Sequence, residues 1–149
     1  DNQKLVTVKS MQQKTRVLVV DDSALMRGLL SQMIGSSPDM EVVGAAPDAP
    51  TAREMIKALN PDVLTLDVQM PKMDGYTATR EIRTLNDPKC ANIPIIAMTA
   101  NAFEEDRKKA IKAGMNAHIA KPISVDIILE NLERMRQNRK YFNEPAEKS

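Results

Sequence analysis

Arg16-Val17-Leu18-Val19-Val20-Asp21-Asp22-Ser23 is the stretch that decides the fold. Val17 to Val20 is a continuous apolar run, mostly β-branched and too short for a helix. Such a run suits a strand buried on both faces of a parallel sheet. It breaks off at two carboxylates and a hydroxyl, side chains that accept hydrogen bonds from the free N–H groups of a helix start. A helix accordingly follows. Leu25, Leu29 and Met33 recur at fourfold spacing beside Met26, Leu30 and Ile34, which predicts a wide apolar face. Gly35 with Ser36-Ser37-Pro38 stops it.

The same unit recurs downstream. Met40 to Gly44, centred on Glu41-Val42-Val43, predicts a second strand. Ala52, Met55, Ile56 and Leu59 stand at i, i+3, i+4 and i+7 of a second helix, ended by Asn60-Pro61. Val63-Leu64-Thr65-Leu66 is a third strand that ends on Asp67. Asp74 to Leu85 predicts a third helix with Ala78, Ile82 and Leu85 on one face. Ile93 to Met98 is a fourth strand, with Pro94 near its start, where no ladder donor need be lost. Phe103 to Ala113 predicts a short fourth helix, capped by Gly114. Its acids (Glu104, Glu105, Asp106) come first and its lysines (Lys108, Lys109, Lys112) later, matching the macrodipole. Ala117 to Ala120 is a fifth strand, and Ser124 caps a last helix built on Ile128, Leu132 and Met135. Five strand–helix units in strict alternation imply an α/β fold, a parallel sheet covered on both faces. The common five-strand solution is the flavodoxin-like (βα)5 doubly wound sandwich, with strand order 2-1-3-4-5.

Around this frame, residues 1–15 are polar and without periodicity. They read as a disordered leader or an appended extension, with Met11 a natural start. Residues 16–140 form the single domain; fraying is expected from about Gln137, and 141–149 are a polar tail. Hydrophobic residues make up 42% and charged residues 28% of the 149, ordinary for a globular protein. Lys+Arg and Asp+Glu nearly cancel, 21 against 20, which gives no argument for nucleic acid or an anionic membrane as partner, and neither is expected. The basic end of the last helix (Arg134, Arg136, Arg139, Lys140) reads as a solvated terminus. No apolar run approaches the roughly 20 residues of a transmembrane helix, and no stretch reads as a secretory signal. The single cysteine, Cys90, suits a reducing cytoplasm and lies in a polar loop setting that does not favour a nucleophile.

In such a sheet the functional crevice lies beyond the carboxyl ends of the strands, where the strand order reverses. Those ends carry Asp21 and Asp22 after the first strand and Asp67 after the third. Three carboxylates in one crevice repel unless a cation sits among them, and Mg²⁺ is the natural hard-oxygen occupant. The next two strands end in Thr99 and Lys121, a hydroxyl donor and a cation. Acids, metal, hydroxyl and ammonium together suit a phosphoryl group, attacked by a carboxylate and neutralised by the cations. Each feature alone has a bland reading: a helix cap for Asp21-Asp22, a turn former for Asp67, a strand-end hydroxyl for Thr99, a solvated charge for Lys121. Their joint placement on four strand ends of one crevice favours a site.

Val19-Val20-Asp21-Asp22-Ser23, Leu66-Asp67-Val68-Gln69-Met70-Pro71 with Met73-Asp74-Gly75, Met98-Thr99-Ala100 and Lys121-Pro122 together resemble the response-regulator receiver family of two-component systems. The resemblance runs from about Arg16 to Met135. It implies that Asp67 is the phosphoacceptor, that Asp22 binds Mg²⁺ directly and Asp21 largely through water, and that the backbone carbonyl of Gln69 is a further ligand. It also implies that Thr99 hydrogen-bonds a phosphoryl oxygen, that Lys121 salt-bridges to it, and that the Lys121–Pro122 bond is cis, aiming the lysine inward. The implied donor is a histidine kinase or a histidine phosphotransfer domain. The implied output is a switch of the face made by the fourth helix, fifth strand and last helix, where a homodimer is also expected. On this reading the chain is not a turnover enzyme on an external substrate, though it assists its own phosphorylation and dephosphorylation.

Two departures stand out. Three residues before the lysine the family usually carries Tyr or Phe, an aromatic that turns inward as Thr99 engages the phosphoryl group; here it is His118. A His can rotate too, but it can also charge and hydrogen-bond, or serve merely as a half-exposed strand residue. Alternation should point it away from the sheet face that Lys121 serves, toward the groove beside the fourth helix. The second departure is that the chain up to Asp74-Gly75 resembles the chemotaxis methylesterase receiver, whereas Ile93–Ala102 and Gly114–Ile123 resemble receivers of hybrid histidine kinases, which a recombined or engineered chimera or ordinary divergence would explain. The competing readings are a recombined or engineered receiver scaffold without a cognate kinase, and an Asp-nucleophile phosphohydrolase. The latter wants a second Asp two residues on, where Gln69 stands.

Overall fold

The structure, a computed structural model, describes residues 14–70, 74–100 and 103–142. Strands β1 (Thr15–Val20), β2 (Met40–Ala46), β3 (Val63–Asp67), β4 (Ile95–Thr99) and β5 (Ala117–Ala120) alternate with helices α1 (Ala24–Gly35), α2 (Ala49–Leu59), α3 (Gly75–Ile82), α4 (Glu104–Ala113) and α5 (Val125–Phe142). All strand pairs are parallel, in the order β2-β1-β3-β4-β5, so the expected topology holds. The expected leader lies outside the described residues except at Lys14 and Thr15, and β1 already opens at Thr15. Met11, Pro71, Met73, Asn101 and Ala102 also lie outside them, as do residues 143–149 of the polar tail.

The continuous apolar runs are explained by cores on both sheet faces. Leu18, Val20, Leu64, Leu66, Ile95 and Ala97 pack with α2, α3 and α4 through Ile56, Ile82 and Ala110. Val17, Val19, Val63, Ile96, Met98 and Ile119 pack with α1 and α5 through Leu30, Ile34, Ile128 and Leu132. Helix ends follow the residue chemistry. Ser23, Asp48 and Asp74 accept from Met26, Thr51 and Thr77 N–H at 3.2, 2.8 and 2.8 Å. Asn60 and Gly114 close α2 and α4 in the left-handed region, at φ 54° and 106°.

Three details refine the expectations. The wide apolar face of α1 is not wholly covered: Leu30 and Ile34 are buried and Met26 and Met33 pack partly buried against the core, whereas Leu25 is 80% and Leu29 42% exposed. A helix lying on a sheet buries one stripe, and six apolar positions cover a wider arc than that. The last helix, expected to fray from about Gln137, is helical as far as Phe142. Glu133 accepts from Arg136 and Gln137 one turn on, and Arg, Lys and Gln are good helix formers. Finally, the polar loop around Cys90 contains a helical turn, Pro88–Ala91, started by Asp87 and burying the thiol. Proline at its first position and an acidic cap suffice for that turn.

Candidate functional site

Parallel pairing sends the carboxyl ends of β1, β3, β4 and β5 to one edge of the sheet. Asp67 is the last residue of β3 and Thr99 the last of β4, while Asp21 follows β1 and Lys121 follows β5. These ends are tied by main-chain bonds: Asp21 N–H to Ala46 C=O (3.1 Å), Val68 N–H to Met98 C=O (3.0 Å) and Lys121 N–H to Thr99 C=O (2.7 Å). The Lys121–Pro122 peptide is cis, as expected.

One carboxylate oxygen from each of Asp21, Asp22 and Asp67 lies within 4.8 Å of the others. Asp21 and Asp67 are buried and Asp22 is exposed. Asp21 Oδ1 accepts the Ser23 N–H at 2.9 Å, but its buried Oδ2 has no hydrogen-bond partner. The Lys121 ammonium stands 4.0 Å from that oxygen and 3.5 Å from Asp67 Oδ1. Asp67 Oδ1 also accepts the Gln69 N–H at 3.1 Å. Burial pushes the Asp21 carboxyl above its ordinary 3.8, and the charges of Asp67 and Asp22 add to the rise. The Ser23 N–H and Lys121 pull the other way without cancelling it.

This donor set fits a small divalent cation. Two oxygens bound to one Mg²⁺ at about 2.1 Å lie no more than about 4.2 Å apart. Separations within 4.8 Å therefore need only small side-chain adjustments, and Asp21 Oδ2 is a buried anionic oxygen lacking a donor. Among the described residues no other acidic, histidine or cysteine group of this kind occurs.

Thr99 is buried, with the parity of Ile95 and Ala97, hence on the α2–α4 side. His118 pairs with Ala97, while Ala117 and Ile119 pack on the α1–α5 side, so His118 faces the α4 side as alternation requires. Its Nε2 is buried and has no hydrogen-bond partner. Arg27 was not foreseen. Its guanidinium donates to the Asp21 carbonyl oxygen at 2.8 Å, fixing the backbone that carries the acid. A cation in the first turn of a helix opposes the macrodipole, and that anomaly was the available signal.

The profile of the response regulator receiver domain matches residues 17–133. The chain belongs to this family. The receiver is 59% identical over 111 residues to a protein-glutamate methylesterase/protein-glutamine glutaminase of Dechloromonas aromatica (strain RCB), covering 73% of this chain and 30% of that protein. It is 46% identical over 109 residues to the corresponding protein of Nitrosomonas europaea, again covering 73% and 30%. The chain thus spans under a third of the length of these relatives. Among solved structures it is similar to the response regulator domain of Thermotoga maritima CheB, with TM-score 0.72, 35% identity and coverage of 89% and 99%. It is also similar to the receiver domain of sensor histidine kinase PA1611 from Pseudomonas aeruginosa PAO1, solved with magnesium in its active-site cleft. There the TM-score is 0.71 and the identity 32%, with coverage of 82% and 97%. A match of 111 residues cannot end at Gly75, so the likeness to a methylesterase continues across the point where the motifs change character.

Proposed function

We propose that this receiver accepts a phosphoryl group on Asp67 from a histidine kinase or histidine phosphotransfer domain. The observation that carries the reading is the convergence of three carboxylates and one ammonium at the ends of β1, β3 and β5. Asp67 attacks the phosphorus of a phosphohistidine; a P–O bond forms, the P–N bond breaks, and its electron pair returns to the donor imidazole. Lys121, 3.5 Å from Asp67 Oδ1, stands where negative charge builds on the transferred group. The Thr99 hydroxyl, at the neighbouring strand end, would donate to a phosphoryl oxygen. Asp21, Asp22 and Asp67, with the backbone carbonyl of Gln69, would hold Mg²⁺. When bound, Mg²⁺ supplies positive charge that offsets both the acid cluster and the phosphoryl oxygens.

The chemistry so proposed ends on the chain itself, not on an external substrate. Its output would be a repacking of α4, β5 and α5 in which Thr99 moves and the His118 ring follows, and that face would also pair two copies. We place it in the cytoplasm, free of nucleic acid and of membrane contacts; among the described residues no helix is long and apolar enough to span a bilayer. The test is incubation with acetyl phosphate and Mg²⁺, read by intact mass. One added phosphoryl group is expected, absent in Asp67→Asn and after chelation of the metal. Equal labelling of Asp67→Asn would overturn the assignment.

A further inference from the structure

Gly75 opens α3 in ordinary right-handed backbone space, since Gly114 is the glycine with positive φ among the described residues. Its need for glycine is therefore one of room, not of conformation. A β-carbon on Gly75 would lie 2.6 Å from Val68 Cα, 3.0 Å from the Asp67 carbonyl oxygen and 3.3 Å from Val68 Cβ. The first distance is a collision with main chain, which no rotamer relieves. The contact is also bonded: the Gly75 N–H donates to the Val68 C=O at 2.9 Å. The Gly75 carbonyl in turn accepts the buried Thr79 hydroxyl at 2.8 Å, which anchors this turn to the body of α3.

What Gly75 touches is the segment that carries the reacting acid. Asp67 ends β3, Val68 and Met70 are buried in the core, and exposed Gln69 is held between them with its N–H on Asp67 Oδ1. We infer that Gly75 is a positioning residue for the metal and phosphoryl site. Its bare Cα lets α3 press against Val68, and its N–H fixes the Val68 peptide, so that the following Gln69 carbonyl and the Asp67 carboxylate are aimed into the acid cluster. The inference rests on the proposed Mg²⁺ site and deepens it, adding a residue whose own atoms need never touch the ion.

The experiment is titration of Mg²⁺ into wild type, Gly75→Ala and Ala78→Gly by calorimetry, with circular dichroism for fold. Ala78→Gly weakens the same helix by loss of propensity without a new contact at Val68. Supporting groups behind metal ligands are worth roughly 10–100-fold in affinity. Gly75→Ala should therefore bind Mg²⁺ at least about tenfold more weakly while folded, and Ala78→Gly should bind as wild type does. Folded Gly75→Ala with wild-type affinity, or an equal loss in Ala78→Gly, overturns the inference and leaves the metal site standing. Wild type that fails to bind Mg²⁺ removes both. Should Gly75→Ala not fold, exchange of the Gly75 amide in wild type decides, because coupling between that bond and the ion is reciprocal. Mg²⁺ should slow it more than it slows amides of α5, and an equal effect on both overturns the inference.

Discussion

Asp21→Asn should make the metal-free receiver more stable and make it nearly indifferent to Mg²⁺. Asp21 is 1% exposed, with one oxygen satisfied by the Ser23 N–H and the other without a donor. At an effective dielectric constant of about 20, unit charges 4.8 Å apart repel by about 3.5 kcal/mol, and an ammonium at 4.0 Å attracts by about 4 kcal/mol. Repulsion from Asp67 is thus nearly balanced by Lys121, while Asp22, being exposed, adds less than about 1 kcal/mol. What decides the sign is the desolvation of a buried ionised carboxylate, still several kcal/mol after relaxation. Asparagine keeps the oxygen that accepts from Ser23 and carries no charge, so the variant should gain about 1–3 kcal/mol without metal. Urea unfolding in chelator would read this, as would melting, at about 2–4 °C per kcal/mol for a domain of this size. Mg²⁺ at about 100 times its dissociation constant should add about 2.7 kcal/mol to wild type and far less to the variant. The order of stability should then narrow or invert. A variant less stable than wild type in chelator, or one that gains as much from Mg²⁺, would refute the reasoning.

The same group sets a pH dependence. Because the folded carboxyl titrates above 3.8, the native state holds the proton more tightly, and ionisation costs stability above that value. The advantage of Asp21→Asn should therefore shrink as metal-free protein is acidified toward 3.8, whereas a constant difference would contradict it. For His118, the phosphoryl mimic beryllofluoride with Mg²⁺ should shift the ring resonances, since Nε2 is buried on the α4 side without a partner. Ring signals that do not respond would leave His118 as a strand residue with no part in the switch.

The strands were legible because a parallel sheet buried on both faces demands runs such as Val17-Leu18-Val19-Val20 and Ile95-Ile96-Ala97-Met98, which no amphipathic helix resembles. The placement of Asp21, Asp67, Thr99 and Lys121 was legible for a related reason. Once strand order is inferred from alternation, topology alone brings strand ends together, whatever their separation in sequence. What stayed hidden depends on shape rather than on pattern. Periodicity counted six apolar residues on α1 but could not say that the sheet covers only some, leaving Leu25 and Leu29 outside. Arg83, read only as part of a helix end, donates to the carbonyls of Ala91, Ile93 and Gly114 and to the Asn116 amide oxygen, clamping α3 to the turn before β5. Burial pushes that guanidinium below its usual value, yet no local motif marks a residue whose partners lie 8 to 33 positions away. Gly75 combines the two cases. Asp74-Gly75 reads as a helix start, which it is, with Asp74 capping Thr77. The packing of its bare Cα against Val68 emerges only when α3 lies across the end of β3. Sequence pattern locates the groups that converge at the strand ends, and the contacts that hold them in place are a property of the folded chain.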